Sequence, residues 1–364
     1  MDLTATTADL TAAATDAARL LPARAPDPVL SGVLLTADAT GVTVAGTDAE
    51  RTVALRRPAL VHTEGTVLVP GRPLADTLRA LDVPEVRLVV EGARLAVRTP
   101  RGRFALPILD IDLHPGVPAP PEVAGRAAGR PLLRALAAVA GAASRDDALP
   151  LFTGVRVRSV GASLRLVATD RYRLAVAELP WTAAADLDVL IPAALLTEIT
   201  RQAAGAAELT LHADHHRAAV SWADAVVGTA LLATPFPDET RHIGTAGDAR
   251  LVVDADELLG AVRRVGLYAD GRGALAVELG DGEVRVRGGG ADLGEADESV
   301  KATVTGRLTQ HYRVRYLTDA LRVFAGRRIN IEVKTGMHST VLTAAEPDPD
   351  GLDLHYVVMP ILPS

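Results

Sequence analysis

Thr47-Asp48 and Thr169-Asp170 each follow an alternating apolar–polar strand pattern, and the two pairs lie 122 residues apart. Pro70 closes the strand TVLV before a helical run, and Pro192 closes DVLI in the same way at the same spacing. One further step reaches Val314, in the run HYRVRYLTDALRVF, where a strand again gives way to a helix. Three agreeing spacings in 364 residues mean that one structural unit is used three times.

Each unit carries the same order of patterns. An Ala-rich amphipathic helix comes early, expected at Ala8–Leu21, Pro131–Ala143 and Asp256–Tyr268, with apolar residues at three- and four-residue steps such as Leu132, Leu133, Leu136, Val139 and Ala140. Two alternating strands joined by a Gly-containing turn follow, as in Gly32–Gly46 and Gly154–Ala168. A second, shorter helix is expected at Pro73–Leu81, Ala193–Ala203 and Leu317–Phe324, and a strand meander closes the unit. Many alternating strands with two helices imply antiparallel sheet with the helices gathered on one face, an α+β layer architecture. Loosely patterned stretches at His114–Gly125 and His242–Ala249 serve as boundaries, which places three domains at 1–119, 125–245 and 246–364.

The 48% hydrophobic content is enough for three cores, but aromatics make up only 3%, so Val, Leu, Ile and Ala must do the packing. With no cysteine there is no disulfide framework, thiolate metal site or cysteine nucleophile. The N-terminal stretch has no basic segment and is broken by Asp2, Asp9 and Asp16, unlike a signal peptide, and no apolar run approaches a membrane span. A soluble, cytoplasmic chain with no membrane partner is expected. The net charge of −7 argues against a uniformly basic surface wrapped by nucleic acid, yet it allows a basic interior and an acidic exterior. All but two of the 38 basic residues are arginines, the exceptions being Lys301 and Lys334.

Catalytic signals are weak. His212, His215 and His216 with Asp214 have a faint metal-ligand spacing, but they fall on an expected hairpin turn, where solvated polar residues are ordinary. Gly288-Gly289-Gly290 lacks the Lys-Ser/Thr of a phosphate-binding loop, and no G-x-S-x-G elbow occurs. Asp48 and Asp170 recur because a Thr-Asp turn recurs, which favours a structural role. No catalytic residue, metal or cofactor is expected.

Several segments, taken in order, carry a family signature: DPVLSGVLL (Asp27–Leu35), AGTDAE (Ala45–Glu50), LRLVATDRYRLAVAELPW (Leu164–Trp181), FPD (Phe236–Asp238), RYLTDAL (Arg315–Leu321) and YVVMP (Tyr356–Pro360). With the threefold repeat, the whole chain resembles the bacterial beta sliding clamp, the beta subunit of DNA polymerase III. The resemblance implies a non-catalytic processivity factor. Two chains would join head to tail, the first domain of one against the third of the other, in a ring with sheets outside and helices lining a central channel. Its partners would be double-stranded DNA, held without regard to sequence, a second copy of itself, the replicative DNA polymerase alpha subunit, an ATP-driven clamp loader and other proteins with clamp-binding motifs.

A sliding ring needs phosphate contacts that exchange easily, so positive charge is expected on the helix faces. The expected DNA-binding residues are Arg24, Arg72, Arg79, Arg134, Arg145, Arg201, Arg263 and Arg264. Arg24 matches a DNA-contacting arginine of the family, in the loop after the first helix. A second family DNA loop corresponds to Ser144–Phe152, where Pro150 and Leu151 stand in place of the usual aromatic pair. The resemblance also implies a cleft that takes a mostly hydrophobic linear motif of partner proteins. Its matching positions are Phe152, Thr169, Arg171, Tyr172, Arg173, Leu174, Pro237, Arg241, Val357, Val358, Met359 and Pro360, flanked by Tyr316, His338, Thr340 and Ile361. Such a peptide needs an apolar floor and a few polar groups to fix its backbone, and the apolar tail YVVMPIL is expected to dock as a strand beside it. Family tails commonly carry an arginine after the Met-Pro pair; here Ile361, Leu362, Pro363 and Ser364 follow. These departures leave room for a diverged paralogue serving specialised polymerases or replacing an inhibited main clamp; a separate alternative is a monomeric peptide-binding module that never closes a ring.

Overall fold

The computed structural model describes residues 1–237, 247–269, 271, 273–290 and 294–362. Among them six α-helices form: α1 (Thr7–Leu20), α2 (Gly71–Arg79), α3 (Gly129–Ala140), α4 (Ala193–Gln202), α5 (Ala255–Val265) and α6 (Val314–Arg322). All six expected helices are present, with shifted ends. Helices α2 and α3 begin two residues before Pro73 and Pro131, because amides of a first helical turn have no intrahelical acceptor and a proline there removes nothing. At the other end the periodicity overshoots: Gly266–Tyr268, expected to continue α5, is a tighter 3-10 turn. Two starts are capped by side chains. Thr6 Oγ1 accepts from the Asp9 amide at the head of α1, and Asp254 accepts from the amides of Asp256 and Glu257 at the head of α5.

The chain packs into two compact units. The first comprises Met1–Arg126 with Arg201–Leu231. It holds a five-stranded antiparallel sheet in the order Leu60–Thr63, Asp2–Thr6, Glu85–Glu91, Arg94–Thr99, Gly102–Pro107. A second antiparallel ladder runs Glu208–Ala213, Arg217–Trp222, Ala225–Ala230, Arg51–Arg57, Gly41–Thr47, Gly32–Asp38, Gly65–Pro70. Helix α1 packs on α2 and on these strands, burying Leu10, Ala13, Ala14 and Ala17; the alanines allow close approach where aromatics are scarce.

The second unit comprises Ala127–Thr200 with Leu232–Ser364. Its nine-stranded antiparallel sheet has the order Asp188–Pro192, Gly154–Val160, Ser163–Thr169, Arg173–Pro180, Asp353–Val358, Thr340–Ala344, Arg328–Val333, Ala249–Asp254, Thr303–Thr305. A four-stranded sheet follows the order Gly294–Lys301, Glu283–Gly290, Ala274–Gly280, Leu308–Arg313. Helix α5 packs on α6, α3 on the strands of 163–180, and α6 on the strand Asp353–Val358. That last strand lies between Arg173–Pro180 and Thr340–Ala344, so Tyr356–Val358 of the apolar tail are docked in the interior of a sheet, while 359–362 lie beyond the strand.

Candidate functional site

The site begins with a turn. Thr169 Oγ1 donates to the Arg173 carbonyl at 2.7 Å and accepts from the Arg171 amide at 3.1 Å. Asp170 Oδ1 accepts from the amides of Tyr172 and Arg173 at 3.1 and 3.0 Å. These bonds hold Arg171 at φ +78°, in the left-handed region. The turn delivers the chain into the strand Arg173–Pro180, whose pleat separates its side chains by function.

Leu174 lies opposite Val357, and Val357 opposite Val341, so these three share one face of the sheet. Val167, Leu174, Val176 and Val357 form one apolar cluster, with Phe236 and Val341 packed against it. Leu174 and Val357 of this cluster are two of the expected cleft positions. Phe236, Val341, Val167 and Val176 were not among the residues assigned to the cleft from sequence. The alternation of the strands carried a signal for Val341, but its partner across the sheet was legible only from the register.

Arg173 falls on the opposite face with Val358 and Thr340, its neighbours in register, and all three are buried. These three expected cleft positions lie on the other face of the sheet from Leu174 and Val357, because one residue along a strand reverses the side chain. Arg173 is 4% exposed; it donates to Asp170 Oδ2 at 3.0 Å and to Asp319 Oδ2 of α6 at 2.6 Å, and lies 5.2 Å from the Tyr316 ring. A buried guanidinium is tolerated because both carboxylates and an aromatic face compensate its lost water. Tyr356, buried beside it, has its phenol pushed up to about 12 by burial, opposed by the Arg173 charge. Tyr312 is likewise held protonated by burial, and its hydroxyl lies 2.6 Å from Thr340 Oγ1.

Above the turn sits an aromatic and cationic rim. The rings of Tyr172 and Tyr316 stack at 5.8 Å and 15°. The Arg171 guanidinium lies 5.7 Å from the Phe152 ring and 5.9 Å from that of Tyr172. The tail is fastened to this rim: the Met359 amide donates to the Tyr172 carbonyl and the Ile361 amide to the His311 carbonyl, both at 2.8 Å. Met359 and Ile361 remain partly exposed while Pro360 is buried. His338 is exposed in the turn before Thr340. Pro237 is described, next to Phe236; Arg241 lies outside the described residues.

The eight arginines expected at DNA divide into two groups. Arg24, Arg72, Arg145 and Arg263 are exposed and have no carboxylate partner among the described residues. The others are engaged. Arg79 pairs with Asp76 at 2.7 Å, Arg201 with Asp16 at 2.6 Å and Arg264 with Glu298 at 2.5 Å, each leaving part of the guanidinium exposed. Arg134 departs furthest from expectation. Asp348 takes it at 2.7 Å and Asp350 at 3.4 Å, while Arg327 reaches Asp348 at 2.6 Å. In this otherwise largely exposed acidic loop, the Asp348 side chain is 2% exposed. Burial raises the Asp348 carboxyl, but hydrogen bonds and charge from Arg134 and Arg327 outweigh it and hold the pKa below the ordinary range.

In the loop Ser144–Phe152, the Ser144 amide donates to the Phe152 carbonyl at 2.7 Å and Pro150–Thr153 forms a 3-10 turn. Both ring nitrogens of His212 have partners, the Pro121 carbonyl at 3.0 Å and Ser221 Oγ at 2.9 Å, so this histidine has no free nitrogen for a metal.

The arrangement offers an apolar face, a polar and aromatic rim, and arginines in exposed helix and loop positions. Three family models cover the chain in series: the N-terminal, central and C-terminal domains of the DNA polymerase III beta subunit match residues 1–118, 128–238 and 240–362. The beta sliding clamp of Micrococcus luteus is 35% identical over 300 residues, 81% of this chain and 97% of that protein. The beta sliding clamp homolog GriR of Streptomyces muensis is 32% identical over 295 residues, 79% of each chain. A crystal structure of a Pseudomonas aeruginosa DnaN sliding clamp bound to griselimycin superposes with a TM-score of 0.91 at 25% identity, covering 100% of both chains. Repeat, fold and full-length similarity agree, and the chain belongs to the DNA polymerase III beta-subunit family, the beta sliding clamps.

Proposed function

We propose that this chain acts as a ring: two copies close head to tail around duplex DNA, and the cleft tethers the replicative polymerase alpha subunit and other motif-bearing proteins. Its role is retention by linkage rather than catalysis, in the cytoplasm and without a cofactor. The observation that carries this reading is the series of three clamp domains in one chain, since two such chains supply six. Closed rings of this kind need one heterologous contact used twice. Two sheet edges support it. Gly102–Pro107 ends one sheet with Phe104 43% exposed beside Arg101, and Gly294–Lys301 ends another with Glu295 and Asp297, in the same unit as Leu267, which is 76% exposed. Such edges seek a strand partner. Exposed Arg24, Arg72, Arg145 and Arg263 are the groups best placed to meet phosphates, while the four ion-paired arginines contribute less charge. No helix among the described residues is long and apolar enough to cross a membrane.

Retention distinguishes a ring from an ordinary DNA binder. Loaded by a clamp loader onto nicked circular DNA, the protein is expected to remain bound in gel filtration at high salt and to run off once that DNA is linearised. Equal loss from circle and line overturns the ring. Similarity to GriR motivates a second reading, a paralogue of a main clamp; growth of a host depleted of its main clamp, with and without this chain, separates the two.

A further inference from the structure

We propose that Asp350 is a built-in counterion: it occupies Arg130 and Arg134 of α3 where a DNA phosphate would bind, and the duplex must displace it. The inference rests on the DNA reading above and adds a device that limits how tightly this part of the chain holds the duplex.

Arg130 and Arg134 are one turn apart on α3, on its unburied side, while Pro131, Leu132, Ala135 and Leu136 between and beyond them are buried. The connection between the last two strands brings two carboxylates to this pair. Asp350 lies 3.2 Å from Arg130 and 3.4 Å from Arg134. Asp348 lies 2.7 Å from Arg134 and 2.6 Å from Arg327. The two aspartates play unlike parts. Asp348 is closed off from water between two guanidiniums and accepts from the Asp350 amide at 3.0 Å, so it anchors the loop. The loop is fastened further by the Arg327 guanidinium, which donates to the Glu346 carbonyl, and by the Gly351 amide, which donates to that of Asp348. Pro347 and Pro349 restrict the backbone on either side. Asp350 is the looser member. Its side chain is 24% exposed, that of Arg130 is 74% exposed, and both of its contacts are longer than those of Asp348. Ion pairs so open to water contribute little to stability, so the second carboxylate is dispensable as a brace.

Its effect on nucleic acid is larger. Carboxylate and phosphate offer a guanidinium the same kind of oxygen pair, so they compete for the same donors. An uncommitted arginine that meets a phosphate releases about one condensed cation from the duplex. Here the phosphate gains Arg130 and Arg134 only as Asp350 lets go, and the freed carboxylate takes up a cation in turn. Both the contact energy and the ion release shrink, which suits a protein that must slide along the duplex.

Fluorescence polarisation of a short labelled DNA duplex, titrated with the full chain across a NaCl series, tests the displacement. Asp350→Asn is expected to bind about threefold more tightly at low salt, with a salt slope steeper by about one and an unchanged melting temperature. Glu346→Gln removes the same charge from the same loop, but the exposed Glu346 side chain has no arginine partner among the described residues, so this variant is expected to bind as the wild type does. Added to Arg130→Ala, Asp350→Asn is expected to give a smaller gain. Equal affinity and slope in wild type and Asp350→Asn, or an equal gain from Glu346→Gln, overturns the proposal while leaving the ring reading intact. If none of the proteins binds the duplex the proposal falls as well, and retention on nicked circular DNA decides the ring reading by itself.

Discussion

The turn at Thr47 and the turn at Thr169 are the same backbone with different purposes. In each, a threonine hydroxyl donates to the carbonyl four residues on, an aspartate oxygen accepts two amides, and the third residue, Ala49 or Arg171, sits at φ +78°. Each opens a strand that pairs with a later hairpin, and each receives a bond at the same place: the Ala230 amide reaches the Glu50 carbonyl as the Met359 amide reaches that of Tyr172. The side chains differ. Where the second region pairs Leu174 with Val357 and continues to Met359, the first pairs Thr52 with Gly228 and continues to Ala230. Two aliphatic floor residues are replaced by a hydroxyl and a hydrogen, and no apolar cleft can form on that face. Repetition thus supplied two equivalent frames, and their side chains gave the second an aliphatic pair where the first has Thr52 and Gly228.

The largest expected contrast lies beneath the turns. Arg173→Ala leaves the partly buried Asp170 without its cation, and Asp319 with Arg322 alone, and is expected to cost about 3 kcal/mol in chemical denaturation. Arg51→Ala at the matching, exposed position is expected to cost under about 0.5 kcal/mol. Equal losses would break the comparison.

The hairpins that complete the two frames differ as well. Ala223-Asp224 joins the first in a tight turn, whereas the second has a long connection carrying Asp348, which binds Arg134 and Arg327. Asp348→Asn is expected to cost about 2 kcal/mol, below the figure for a fully buried ion pair because both arginines are partly exposed. The pH dependence has a definite sign. With the folded pKa depressed below 3.8, the ionised carboxylate contributes its full stability above that value and loses it as pH falls through the folded pKa. In thermal melts from pH 6 to pH 3 the advantage of wild type over Asp348→Asn should therefore begin to narrow toward the acid end; parallel curves would show that folding does not lower the Asp348 pKa.

Converting the first frame toward the second should fail sterically. A Cβ on Gly228 would lie 2.6 Å from Thr52 Oγ1 and 3.2 Å from the Ala218 carbonyl oxygen, so Gly228→Val is expected to destabilise by about 2 kcal/mol in thermal melts. A neutral result would mean that the close approach can relax. The smallest effect is expected at the tail. Ile361 is partly exposed with its amide already bonded to His311, so Ile361→Arg should leave stability unchanged and alter affinity for a clamp-binding peptide by about threefold, read by fluorescence polarisation. Identical affinities would show that the apolar tail does not tune the rim.

The sequence by itself determined a good deal. Periodicity located all six helices, the alternation of the strands gave antiparallel sheet, and Thr-Asp at matched spacing marked the two equivalent turns. These are local properties: hydrophobic period, capping side chains and turn chemistry act within a few residues, so they can be read along the chain. Tertiary structure alone decided which residues meet. Phe236 and Val341 packed against the cluster of Leu174 and Val357, Arg173 and Thr340 fell on the opposite face of the sheet, and Arg134 was claimed by Asp348, more than two hundred residues away. Strand register and long-range ion pairing depend on how distant segments are brought side by side, and a single residue of register moves a side chain to the other face of the sheet.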